Sequence, residues 1–183
     1  MPISCDLLIE NCSIVMLDFS VCKDSFIAVA GNRIVGMGAG KEFADKYQPR
    51  QRLNGKDKLA IPGMYDCHTH TVQQLLKGGV IDEPPIVWRR ILVPYESTLT
   101  NEDRYHAAML YCIQALKAGI TMFADAGSMN MEGTVQAVKE TGIRASIARV
   151  GRVRDPELPE NMCDPDAKTA VKQMEALYKA HHG

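Results

Sequence analysis

The chain has 183 residues, about one ordinary domain by length, and its 46% hydrophobic and 23% charged residues are those of a folded soluble protein. Disorder, collagen-like repeats and low-complexity scaffolds are thereby excluded. With 21 Lys and Arg against 22 Asp and Glu the net charge is -1, so no basic footprint for nucleic acid exists. No apolar run approaches the ~20 residues of a membrane span, and the N-terminus lacks the basic-then-apolar pattern of a signal peptide. A cytoplasmic location with neither nucleic-acid nor membrane partners is expected. The six cysteines form no CxxC, so they read as free and mostly buried thiols.

Residues 1–61 read as short strands: Asp6–Ile9, Ser13–Leu17, Phe26–Val29, Arg33–Met37, Arg50–Leu53 and Leu59–Ile61, with a short helix possible over Lys41–Tyr47. Gly31-Asn32 signals a tight hairpin because both residues tolerate positive φ, and Asn54-Gly55 is a second such signal. This β module is short of core and leaves strand edges open.

From Pro62 the pattern changes to single strands alternating with amphipathic helices. Met64–Thr69 is a strand. Thr100 caps a helix over Asn101–Lys117, with Asp103 completing a capping box and Gly119 as the stop. Tyr105, Met109, Cys112 and Leu116 mark its apolar stripe. Ile120–Asp125 is a strand, Glu132–Glu140 a helix ended by Gly142, and Arg144–Val150 a strand. Asp164-Pro165 reads as the cap and first turn of a last helix whose Ala167, Val171, Met174, Tyr178 and His181 share a face. Such alternation implies right-handed βαβ units and a parallel sheet. A complete (β/α)₈ barrel takes roughly 250 residues. Residues 62–183 would then hold about its first three units, with a flavodoxin-like doubly wound sheet as the alternative.

The sharpest feature is Ile61-Pro62-Gly63-Met64-Tyr65-Asp66-Cys67-His68-Thr69-His70. Residues two apart on a strand share a face, which sets His68 and His70 side by side, about 7 Å apart along the backbone. Their imidazoles can converge on one ion with Zn–N bonds of ~2.0–2.1 Å. Two solvent-bonded histidines at a strand end are the alternative. Cys67 points the other way and reads as a packing residue.

Pro-Gly-x-x-Asp-x-His-x-His, directly after a small β module and opening a βα series, resembles the amidohydrolase superfamily. The likeness is to its deaminase and chlorohydrolase branch, with guanine, cytosine and S-adenosylhomocysteine/methylthioadenosine deaminases. It continues through Gln73-Gln74-Leu75-Leu76-Lys77-Gly78, Trp88, Pro94–Asp103, Ala118–Asp125 and Glu140–Ala145. The resemblance implies an α/β chain: a β-sandwich portion over 1–61, then the first three or so β/α units of a metal-dependent TIM-like barrel over 62–183. It implies a divalent ion, zinc before iron, held in part by His68 and His70. Such an ion lowers the pKa of its water to about 7, and the hydroxide attacks a carbon bearing an amine or halide. Hydrolytic deamination of a purine, a pyrimidine or a related C–N substrate is the expected reaction.

The family's remaining ligands, a histidine of the fifth strand and an aspartate of the eighth, and its proton-shuttling glutamate have no counterpart among these residues. No catalytic residue is therefore assigned, and a complementary C-terminal polypeptide or a homo-oligomer is expected as partner. A non-catalytic ligand- or partner-binding remnant of the fold is the alternative. A complete small protein working with the histidine pair alone fits least, since hydrolytic zinc sites use three protein ligands plus water.

Three substrate-binding candidates remain. In the resembling nucleoside deaminases the glutamate at the Glu96 position contacts ribose hydroxyls; a solvated loop charge is the alternative. Arg149, at a strand end, resembles a substrate-contacting arginine or else pairs with Asp125. Trp88 either walls the pocket or belongs to the core. His106 reads as structural, and His181 and His182 suit the negative end of the last helix.

Overall fold

The computed structural model describes residues 2–80 and 86–182, which divide into two compact units, Met1–Pro62 and Gly63–Gly183.

The first unit is a single sheet. β1 (Ile3–Val15) lies antiparallel to β2 (Val21–Ala30), and β2 is antiparallel to β3 (Arg33–Ala39). After the four-residue α1 (Lys41–Ala44), β4 (Tyr47–Asn54) and β5 (Leu59–Ala60) both pair with β1 in parallel. Cys5, Leu8, Phe26, Ala28 and Ala44 form its core, with the Phe26 and Tyr47 rings 5.6 Å apart. β1 joins what the sequence reads as two strands: Asn11 takes a left-handed φ of 61°, and a register break between Ile9 and Cys12 carries the chain through. Leu17 lies beyond the strand and is 94% exposed.

Gly31-Asn32 does turn β2 into β3, with only Gly31 at positive φ. Asn54-Gly55 does not make a hairpin. β4 and β5 pair one after the other along the edge of β1 opposite β2 instead of with each other, and the Gly55 amide donates to the Glu10 carbonyl at 2.7 Å. Glycine is required there by close approach: a Cβ would stand 2.7 Å from that of Cys12.

The second unit alternates strands and helices. β6 (Met64–Thr69), β7 (Ile120–Ser128) and β8 (Arg144–Arg149) are parallel, in that order. A flavodoxin-like sheet would place its first strand between the second and third. Between β6 and β7 run a 3₁₀ turn (Thr71–Leu76), a π-helical turn (Trp88–Leu92), α2 (Val93–Thr98) and α3 (Asn101–Lys117); α4 (Glu132–Thr141) links β7 to β8. A 3₁₀ turn at Glu160–Met162 precedes α5 (Ala167–His181). None of the described helices is long and apolar enough to cross a membrane.

The capping box forms as read: the Asp103 amide donates to Thr100 Oγ1, and the Thr100 amide donates to Asp103 Oδ2. The stripe of α3 is shifted from the expected one. Its buried face is Arg104, Ala107, Ala108, Tyr111, Cys112 and Ala115, while Leu116 is exposed. The reason is steric: α4 lies so close that a Cβ on Gly133 would be 2.6 Å from the Tyr105 amide nitrogen. Small side chains, which a hydrophobicity pattern underweights, fill that contact. Tyr111 reaches the sheet instead, its ring edge-on to Phe123 with centroids 4.9 Å apart.

The cap of α5 is Asp166, whose carboxylate accepts the Thr169 amide at 2.7 Å, and not Asp164. Only Ala170 of α5 is fully buried; Val171, Met174 and Tyr178 of the expected face are exposed.

Candidate metal centre and its surroundings

His68 and His70 sit at the C-terminal end of β6, His68 within the strand and His70 just past it in extended conformation. Their rings lie edge to face with centroids 5.3 Å apart. Thr69, between them, turns to the other side and is buried. The Nδ1 of His70 is buried and has no hydrogen-bond partner among the described residues. An imidazole nitrogen out of water and without a partner is costly, and a metal ion is one group that satisfies it. The donor set thus fits a zinc-type ion as far as two imidazoles go. Among the described residues no group of three or more His, Cys, Asp or Glu is placed to hold an ion. Cys67, read as a packing residue, is exposed, although Thr69 two residues on is buried; Cys5, Cys12 and Cys112 are buried.

Two sets of hydrogen bonds hold the histidine pair. Asp66 Oδ1 accepts the His68 amide at 3.1 Å, and Asp66 Oδ2 accepts the Tyr111 hydroxyl at 2.6 Å. Burial first, and the Asp66 carboxylate second, push the Tyr111 phenol well above its ordinary range and keep it a donor. Beyond His70, the Thr71 amide and hydroxyl both donate to Asp125 Oδ2, at 3.1 and 2.6 Å. Asp125 Oδ1 accepts the Gly127 amide at 2.8 Å, and the Thr71 and Thr134 hydroxyls are 2.9 Å apart. All three side chains are buried. The turn after His70 is thereby tied to the end of β7 and the start of α4.

An open cavity of about 480 Å³ lies beside the pair, lined by His68, His70, Gln73, Gln74, Lys77 and Leu92 among others. Glu96 is not a loop charge: it lies on α2, 5% exposed, and its carboxylate accepts Gln73 Nε2 at 2.6 Å and Ser128 Oγ at 2.5 Å. It therefore meets the cavity through Gln73. Arg149 ends β8 and pairs with Asp164, through Nη2 to Oδ1 at 2.7 Å and Nη1 to Oδ2 at 3.0 Å. The expected partner, Asp125, is taken up by Thr71. Asp164 also accepts the Arg152 amide, and the Arg149 guanidinium holds its carboxyl below the usual range. Trp88 is neither core nor part of the cavity lining. It is 42% exposed, with the guanidinium carbons of Arg89 and Arg152 at 5.4 and 5.8 Å from its ring centroid.

His106 is exposed with its ring against Tyr105, and His181 Nε2 lies 3.2 Å from Glu132 Oε2. Sequence reading misses the supporting roles of Tyr111, Thr71, Thr134, Arg104 and Ser128. A signal exists for Thr71 and Ser128: both are small hydroxyl residues at strand ends, where barrel sites collect their polar groups.

The amidohydrolase family profile matches residues 59–181. The 5-methylthioadenosine/S-adenosylhomocysteine deaminase of Pelotomaculum thermopropionicum is 33% identical over 147 residues, 79% of this chain and 34% of that protein. The 5'-deoxyadenosine deaminase of Methanocaldococcus jannaschii is 34% identical over 127 residues, 69% of this chain and 30% of its own length. Among solved structures, an adenosine deaminase from Xanthomonas campestris with bound zinc superposes on all of this chain and 41% of its own, with TM-score 0.84 and 22% identity. The fold is that of the N-terminal part of such enzymes, and with the family match it defines the class: this chain belongs to the amidohydrolase family. It spans about a third of the length of the curated relatives it matches.

Proposed function

We propose that this chain forms the N-terminal part of a metal-dependent amidohydrolase that removes the amino group of a purine nucleoside, with adenosine derivatives as the favoured class. The observation that carries the reading is the buried Nδ1 of His70, without a hydrogen-bond partner among the described residues, beside His68 in a chain of this family. The relatives' names favour the adenosine-type substrate over a free pyrimidine.

His68 and His70 would supply two ligands to a divalent ion of the zinc type. When bound, such an ion polarises and deprotonates water at neutral pH. Asp66 holds the His68 backbone through its amide, and Thr71 with Asp125 holds the turn that follows His70. Glu96 would accept substrate hydroxyls at the edge of the cavity, a role that suits an acceptor-only carboxylate. Arg149 and Trp88 are the further substrate-side candidates, with Arg149 already neutralised by Asp164.

The remaining ligands would come from polypeptide that completes the barrel. Two edge strands, β6 and β8, flank the three-stranded sheet with no further strand paired to them among the described residues. Parallel sheets are ordinarily covered and continued on both sides. The rival reading, a binding remnant without catalysis, draws on one fact: the described residues offer no third ligand beside the pair.

The test is zinc content and ammonia release from adenosine, 5'-deoxyadenosine and methylthioadenosine by the full-length protein. One bound ion and turnover are expected, both lost in His68→Ala and His70→Ala. Full activity with both histidines replaced would overturn the assignment, and metal binding without any turnover would favour the remnant.

A further inference from the structure

Arg104 lies on the inward face of α3, otherwise lined by alanines, Tyr111 and Cys112, and is 5% exposed. Burial pulls its guanidinium down from the ordinary arginine range. Desolvating a guanidinium is expensive, and an apolar side chain at this position would avoid the cost. What Arg104 reaches explains its presence. Its Nη2 donates to the Glu96 main-chain oxygen at 2.7 Å, and its Nη1 donates to Ser128 Oγ at 3.3 Å. Because Arg104 donates to that hydroxyl, the Ser128 hydrogen is left for Glu96 Oε2, which it meets at 2.5 Å. The other carboxylate oxygen accepts Gln73 Nε2 at 2.6 Å. Gln73 in turn lines the cavity that holds His68 and His70. Four elements contribute one member each: α3, the end of β7, α2 and the turn after His70.

We propose that Arg104 and Ser128 are positioning residues that act through Glu96, holding its carboxylate in one orientation against Gln73 at the edge of the His68–His70 cavity. The inference rests on the function proposed above for its substrate, and concerns how that side of the site is built. Arg104 fixes both ends of the Glu96 residue, its backbone directly and its carboxylate by way of Ser128. Each carboxylate oxygen keeps lone-pair capacity beyond the bond it already accepts, so a substrate hydroxyl can be added without breaking either.

A double-mutant cycle on the full-length protein tests this. Ser128→Ala should raise KM for an adenosine derivative about tenfold while kcat stays within about twofold, the pattern of lost binding and not of lost chemistry. Ser128→Thr, which keeps the hydroxyl, should restore most of the affinity. In a Glu96→Gln background Ser128→Ala should add little, because its effect passes through the carboxylate. An unchanged KM, or effects that add fully in the double variant, would overturn the proposal. If the wild type turns over no adenosine derivative, the proposed function fails. The same cycle read by urea unfolding then decides the network: coupling between Ser128 and Glu96 supports it, and additivity overturns it. Arg104→Met with Glu96→Gln gives the second arm, with the same expectation of non-additivity.

Discussion

At the scale of single residues, the buried charged side chains among the described residues are all hydrogen-bonded, and that of Asp164 is ion-paired with Arg149 at the end of β8. Asp164, 1% exposed, takes both guanidinium arms of Arg149 and the Arg152 amide. Breaking such a pair from one side leaves an uncompensated buried charge, so Arg149→Met should cost about 3–5 kcal/mol in urea unfolding. The pH dependence has a definite sign. Because the folded-state pKa of Asp164 is depressed, its contribution is present above the unfolded carboxylate value of about 3.9 and is lost as pH falls through the folded one. Wild-type protein should therefore lose stability below about pH 4, and Arg149→Met should show a shallower acid slope. Equal slopes in the two proteins would remove this account of Asp164. Asp66 works differently, through the His68 amide and Tyr111, so its carboxylate sets backbone position beside the histidines.

Among the elements, α3 and α4 show how the second unit is assembled. Thr100 and Asp103 start α3 reciprocally, and helix ends of this kind contribute locally. Thr100→Ala should cost about 1 kcal/mol in thermal or urea unfolding and leave the site's geometry intact. Gly133 is a different matter. A Cβ there would meet the Tyr105 nitrogen at 2.6 Å and the Asn101 oxygen at 2.7 Å, both backbone atoms that cannot swing aside. Gly133→Ala should cost about 1–3 kcal/mol by forcing the two helices apart. Thr134, the next residue, lies against Thr71, so that variant should also weaken zinc retention where Thr100→Ala does not. Dialysis against a chelator, followed by metal analysis, checks the difference. Equal retention in both would separate α4 from the site.

For the whole molecule, the two units have incomplete coverage in common. The sheet of the second unit carries exposed Met64 and Tyr65 on β6, and α5 exposes Val171 and Tyr178. Apolar surface of this kind is ordinarily buried by further polypeptide. The 183-residue chain studied alone should therefore self-associate or unfold with low cooperativity. Light scattering with scanning calorimetry measures both. A monodisperse monomer that melts cooperatively above about 60 °C would show that the chain is sufficient by itself.

The sequence alone determined the alternation of strands and helices from Met64 onward, the capping box at Thr100, the stop at Gly142 and the histidine pair. These are local signals, written in neighbouring side chains and in the period of strand and helix. Only the tertiary structure decided which residues of α3 are buried, because the close approach of α4 selects small side chains that no hydrophobic pattern ranks highly. It likewise decided that Asn54-Gly55 is a close approach and not a hairpin, and that Asp164 pairs with Arg149 while Asp166 caps α5. Glu96 shows the same division. Its place before the first long helix was legible, but its burial depends on Gln73, Ser128 and Arg104 from three other elements. Hydrogen bonds between residues 23 and 32 positions apart leave no trace in local pattern, since only the folded chain brings their donors and acceptors within reach.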